Sequence, residues 1–215
     1  MSDINKNVYK SVKSQAQAEY IEKKSRFIAY VKPVSEETEA IAFINEIKSK
    51  HWDARHNVYA YRIGSDGAMA QRYSDDGEPQ GTAGIPVLDV ILKNSLTNMV
   101  IVVTRYFGGI LLGAAGLVRA YGKSASMGIE EAGIIQNILC DRFSVKIDYT
   151  YLSKMQRELP NIDCKIKEIT YDDKVNMFIL VPKEKEHIFQ KSIIEFTNAD
   201  VLVEKDGQEY IKVDI

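Results

Sequence analysis

Three segments concentrate the residue types that do chemistry: HWDARHNVYAYR at 51–62, YSDDGEPQGTAGIP at 73–86 and VVTRYFGGILLGAAGLVRAYGKS at 102–124. In the third, an apolar run passes through a Gly-rich turn into a helical pattern, and the amide groups at the start of such a helix favour an anion. Arg105 or Arg119 would supply the charge, with Gly108 and Gly109 allowing close backbone approach. The same glycines equally suit a purely structural contact between helix and strand. GLVRAYGKS is not a P-loop: five residues rather than four separate Gly116 from Gly122, and its Gly-Lys-Ser falls within the helical pattern.

The second segment holds Asp75, Asp76 and Glu78 within four positions, which could bind a hard cation or supply a general base. Asp-Gly and Glu-Pro are also ordinary turn chemistry, and carboxylates satisfy free amides where a helix begins. The pattern is not a spaced calcium loop, so no metal and no cofactor is expected. His56 beside an acid could relay protons, yet no GxSxG, HExxH or recognised Cys-His arrangement accompanies it. Arg55, Tyr59, Tyr61, Arg62, Arg72, Tyr73, Arg105, Tyr106 and Phe107 interleave cations with aromatic rings, the mixture that grips phosphate and stacks bases. Alternating tyrosines also fill one face of an ordinary core.

The elements that must position these residues are legible in outline. Extended segments are expected at 8–14 and 19–34, followed by a helix over 35–50 with Ser35 as N-cap and Ala40, Ile41, Phe43, Ile44 and Ile47 on its packing face. NVYAYRI and MAQRY flank GSDGA, a hairpin signal. IPVLDVILKN reads as a helix with Pro86 in its first turn, MVIVVT as a buried central strand, and GLVRAYGKSASMGIEEAG as a second long helix. From Arg142 the texture changes to strand FSVKIDYTY, helix LSKMQREL stopped by Pro160, strands CKIKEITY and VNMFILVP, helix KEKEHIFQKSIIEF and a final extended stretch. This β-α-β-β-α-β order is the ferredoxin-like pattern. The expected domains are 1–135 and 141–215, with the second able to serve as an interaction module.

Bulk properties restrict the partners. The net charge is −2, with 28 basic against 30 acidic residues, so any nucleic-acid surface must be local. Cys140 and Cys164 are too few for a disulfide framework and lack metal-site spacing, so both are expected to be buried hydrophobes. MSDINKNVYK has no apolar stretch, and the longest apolar run, 110–118, is far short of the ~20 residues that span a bilayer. A cytoplasmic protein without membrane contact is expected.

KSRFIAYV, ARHNVYAYR, SDDGEPQGTAGIPVL and VVTRYFGGILLGAAGLVRAYG, spread over 24–122, resemble the IMPACT/YigZ family, with Ala115 departing from the family's usual glycine. The resemblance implies an α+β protein: a first domain with the ribosomal-protein-S5-domain-2-like α/β sandwich and a second similar to domain V of elongation factor G. It also implies regulation of translation, through ribosome-associated RNA or a translation-factor partner. A hydrolase or transferase acting on a phosphate-containing or other anionic small substrate is the competing expectation. It requires Asp75, Asp76, Glu78, His56 and Arg105 to converge on one pocket.

Overall fold

Phe27, Ala29 and Val31 alternate with Ile28 and Tyr30 along one strand, and both sets are buried. Successive side chains on a strand point to opposite faces, so this strand lies in a sheet covered on both sides. The structure, a computed structural model, describes residues 7–64 and 69–215. The chain divides into two compact units, 1–136 with 214–215, and 137–213.

The first unit contains β1 (Val8–Val12), β2 (Ala16–Glu22), β3 (Ser25–Pro33), α1 (Glu37–Lys50), β4 (His56–Ile63), β5 (Ala70–Ser74), α2 (Gly84–Lys93), β6 (Met99–Tyr106) and α3 (Gly113–Ala132). Strands β2-β3-β6-β4-β5 form an antiparallel sheet. One face carries Phe27, Ala29, Val31, Val58, Ala60, Met99, Ile101 and Val103 against α2 and α3. The other carries Ile28, Tyr30, Tyr61, Val100 and Val102 against α1. The unit is therefore a sandwich of helix, sheet and helix pair, with MVIVVT at its centre as its unbroken apolar run predicts.

Several local expectations are corrected. The stretch 19–34 is a hairpin, reversing at Lys23 and Lys24 with φ of +45° and +67°, positions where glycine or asparagine is the usual signal. Ser35 does not cap α1 with its side chain; Glu36 occupies the N-cap, and the Ser35 amide donates to Glu39 Oε2 at 2.6 Å. Ile41 is half exposed rather than packed, because the apolar stripe of α1 is satisfied by Ala40, Phe43, Ile44 and Ile47. Strands β4 and β5 pair as a hairpin, while most of the GSDGA turn lies outside the described residues.

The second unit holds most of β7 (Ile134–Ile147), then α4 (Tyr149–Glu158), β8 (Lys165–Tyr171), β9 (Val175–Pro182), α5 (Glu186–Thr197) and most of β10 (Val201–Asp214). Its strand order, β10-β7-β9-β8, is 4-1-3-2 within the unit, which is the ferredoxin-like arrangement. Met155, Leu159, Phe189 and Ile193 from the helices cover Phe143, Val145, Met177 and Ile179 of the sheet. The expected strand 143–151 ends early, because Asp148 accepts the Thr150 amide at 2.9 Å and caps α4, which takes up Tyr149 to Tyr151. Cys140 and Cys164 are buried free thiols.

Candidate functional site

Register brings the first and third chemical segments together. His56 opens β4 directly opposite Arg105 on β6, and Arg105 is in turn opposite Phe27 on β3. His56 lies two residues before Val58 and Arg105 two after Val103, so both share the face that packs on α2 and α3. Here the sheet ends at the start of α3, and a cleft of about 390 Å³ opens between them, lined by Arg55, His56, Gly77, Glu78, Pro79, Arg105, Phe107 and residues 111–114 and 117.

Glu78 is the pivot. It is 8% exposed, and its Oε1 accepts from Arg105 Nη1 at 2.5 Å and from the Tyr121 hydroxyl at 2.8 Å. His56 Nε2 lies 3.8 Å from the same oxygen. Burial, reinforced by the Glu78 carboxylate, raises the Tyr121 hydroxyl far above the ordinary tyrosine range, so it remains a donor. Arg105 is itself 6% exposed, its guanidinium 5.4 Å from the Phe27 ring centre and 5.7 Å from that of Phe107. Its Nε is buried with no hydrogen-bond partner among the described residues.

The acidic loop is a frame for this arrangement. Asp75 accepts the amides of Gly81, Ala83 and Gly84 at 2.8, 3.1 and 2.8 Å and so anchors the start of α2, which lacks a side-chain cap of its own. Asp76, at φ +45°, accepts the Asn57 amide at 2.7 Å and pairs with Lys48 of α1 at 2.8 Å. Its backbone carbonyl lies 2.8 Å from His56 Nδ1. A carbonyl only accepts, so Nδ1 carries the proton and Nε2 is directed toward the Glu78 side. Gly77, at φ +87°, supports the turn, and an added Cβ would meet the His56 ring at 3.5 Å.

Gly108 is required sterically. A Cβ there would lie 2.1 to 2.3 Å from the Lys24 carbonyl and the Ser25 nitrogen, while its amide donates to Ser25 Oγ at 3.1 Å. Gly109 adopts φ +82° with open space around it. Helix α3 has no side-chain cap at Leu112 and no acid in its first turn, and Leu112, Gly113 and Ala114 line the cleft. Its leading amides therefore stay available beside Arg105. Ala115 is exposed, so its added methyl meets solvent.

The remaining sequence candidates lie elsewhere. Arg62 is buried near the other end of β4, donating to the Leu96 carbonyl at 3.2 Å. Tyr61 faces α1, donates to Glu37 at 2.9 Å, and with Tyr59, Arg72 and Lys48 lines a separate depression. Arg119 lies in a groove between α2 and α3 with Lys93 and Lys123. Tyr106 points to the α1 side and donates to Asp53 at 3.0 Å; its oxygen accepts from His51 Nδ1 at 2.8 Å, and His51 Nε2 accepts from Tyr30 at 2.7 Å. Of the five residues that a hydrolase or transferase would need in one pocket, His56, Glu78 and Arg105 meet in the cleft, whereas Asp75 and Asp76 are bound into its frame. Tyr121 and Lys48 were missed: a helical tyrosine spaced from Leu117 reads as core, and Lys48 as surface. Among the described residues no group of three or more His, Cys, Asp or Glu is placed to hold a metal ion. No helix among them is long and apolar enough to cross a membrane.

An antiparallel α/β sandwich with a cationic cleft, followed by a ferredoxin-like unit, defines a two-domain α+β protein. The chain belongs to the IMPACT family. Residues 23–129 match the Impact N-terminal domain and 145–199 a domain of unknown function, DUF1949. It is 41% identical to the IMPACT family member YvyE of Bacillus subtilis, covering 95% of this chain and 94% of that one. Identity to the IMPACT family member YigZ of Escherichia coli is 32%, over 83% and 88% of the two chains. A crystal structure of a hypothetical protein, 28% identical, superposes with a TM-score of 0.60 over 93% of this chain and 98% of that one. Proteins named IMPACT also occur in eukaryotes, in Dictyostelium discoideum and Mus musculus.

Proposed function

We propose that this protein is a cytoplasmic regulator of translation that binds ribosome-associated RNA through the cleft of its first domain. One observation carries the reading: Arg55, His56 and Arg105 gather at the uncapped start of α3 beside Phe107, which is 42% exposed. Cations and helix amides suit a phosphate, and an exposed ring beside them suits a base. The near-neutral chain needs such a local site. Glu78 offsets one of these charges through its pair with Arg105, which leaves Arg55 and the α3 amides as the unpaired positive surface among the described residues of the cleft.

Binding is favoured over hydrolysis because all three carboxylates of the acidic loop are committed within the protein, leaving none as a free base. The test is cosedimentation with ribosomes over a salt series. Wild-type protein should bind in low salt and dissociate as salt rises. Arg55→Ala, at an exposed position, should weaken binding and lower the slope of log K against log salt by about 0.7 to 0.9 for one lost phosphate contact. Wild-type protein that fails to cosediment even in low salt would overturn the reading.

A further inference from the structure

Two features of the cleft are unfinished as they stand. The Arg105 side chain is 7% exposed, yet its Nε has no partner among the described residues. A buried donor without an acceptor is costly and uncommon, and an unseen water or ligand is a usual cause. Beside it, α3 runs for 20 residues and presents its first turn without a cap or an acid. Helix amides and an arginine whose Nη1 alone is paired among the described residues, with Glu78, both suit an anion, and they line the same cleft.

The rest of the lining narrows the ligand. The ionised groups are Arg55 and Arg105 against Glu78, a surplus of one positive charge before any proton on His56. Exposed apolar side chains line the same cleft: Phe107 is 42% and Leu111 83% exposed. A volume of about 390 Å³ exceeds what a bare phosphate would fill and lies within the range of small-molecule sites. We infer that the cleft holds a single nucleotide unit, with its phosphate at Arg55, Arg105 and the first amides of α3 and its base against Phe107 and Leu111. The inference deepens, and rests on, the reading of this cleft as the RNA contact. The shared chemistry is a nucleoside phosphate, whether free or within a strand.

The test is calorimetric titration of the full chain with adenosine 5′-monophosphate, adenosine, inorganic phosphate and hexa-adenylate. The monophosphate should bind at least tenfold more tightly than adenosine or phosphate alone, because only it engages both the cations and the apolar side chains. Ala114→Glu places a carboxylate on an exposed position of the first turn of α3. It should weaken the monophosphate at least tenfold while leaving the melting temperature unchanged or higher, since the same charge favours the helix. Displacement of the monophosphate by hexa-adenylate would identify a strand as the source; binding without such displacement would identify a free nucleotide. Equal affinity for monophosphate and adenosine, or no effect of Ala114→Glu, would overturn the inference. Ribosome cosedimentation is scored separately, so loss of one does not stand in for loss of the other.

Discussion

Arg105→Met should unfold the first domain far more readily than the loss of one surface charge would. The substitution keeps an apolar chain against Phe27 but leaves the Glu78 carboxylate buried without its main counter-charge. Glu78 is 8% exposed, and its side-chain contact to Arg105 is 2.5 Å. Breaking a buried pair by removing one partner costs about 3–5 kcal/mol. That is a large share of the roughly 5–15 kcal/mol that holds a domain folded. With a urea slope of about 2 kcal/mol per molar, the midpoint should fall by roughly 2 M. Adding Glu78→Gln removes the stranded charge and keeps an acceptor for Tyr121, so the double variant should recover at least about 2 kcal/mol. Urea unfolding followed by far-UV circular dichroism, fitted with two transitions because the chain has two units, supplies the measurement. A double variant whose loss is the simple sum of the two single losses would refute the coupling and with it the role of Arg105 as the partner of Glu78.

Gly108→Ala, whose Cβ would collide with the Lys24–Ser25 backbone, should cost about 3 kcal/mol or more, against about 1 kcal/mol for Gly109→Ala in open space at positive φ; thermal melts of the two variants make the comparison. Burial, with Lys50 nearby, lowers the pKa of His51, so the unfolded chain takes up a proton first as pH falls. The neutral His51 contribution should be complete above about pH 6.5 and diminish below it, a slope that His51→Gln should reduce in urea titrations at different pH. Burial pushes the Cys140 thiol up to about 11 and that of Cys164 up to about 12, so iodoacetamide at pH 8 should modify neither before unfolding, as intact mass would show.

The sequence determined which segments are strands and helices wherever apolar periodicity was strong: the central strand through MVIVVT, the helix of Phe43, Ile44 and Ile47, and the β-α-β-β-α-β order of the second unit. It also marked the three dense segments, because their residue types are chemically distinctive. It did not sort the residues within them. Arg62 and Arg105 read alike as strand-end cations, yet Arg62 donates to the Leu96 carbonyl while Arg105 lines the cleft. Tyr61 and Tyr106 face α1, away from His56, through strand parity alone. The reversal at Lys23 and Lys24 left no glycine signal, and the capping of α2 by Asp75 spans six to nine residues of loop. Residue type and local periodicity are properties of neighbouring positions and survive in the linear chain. Cross-strand register is set by packing between distant segments, so only the tertiary structure placed His56 opposite Arg105, closed both around Glu78, and gave the α3 amides a cleft to face.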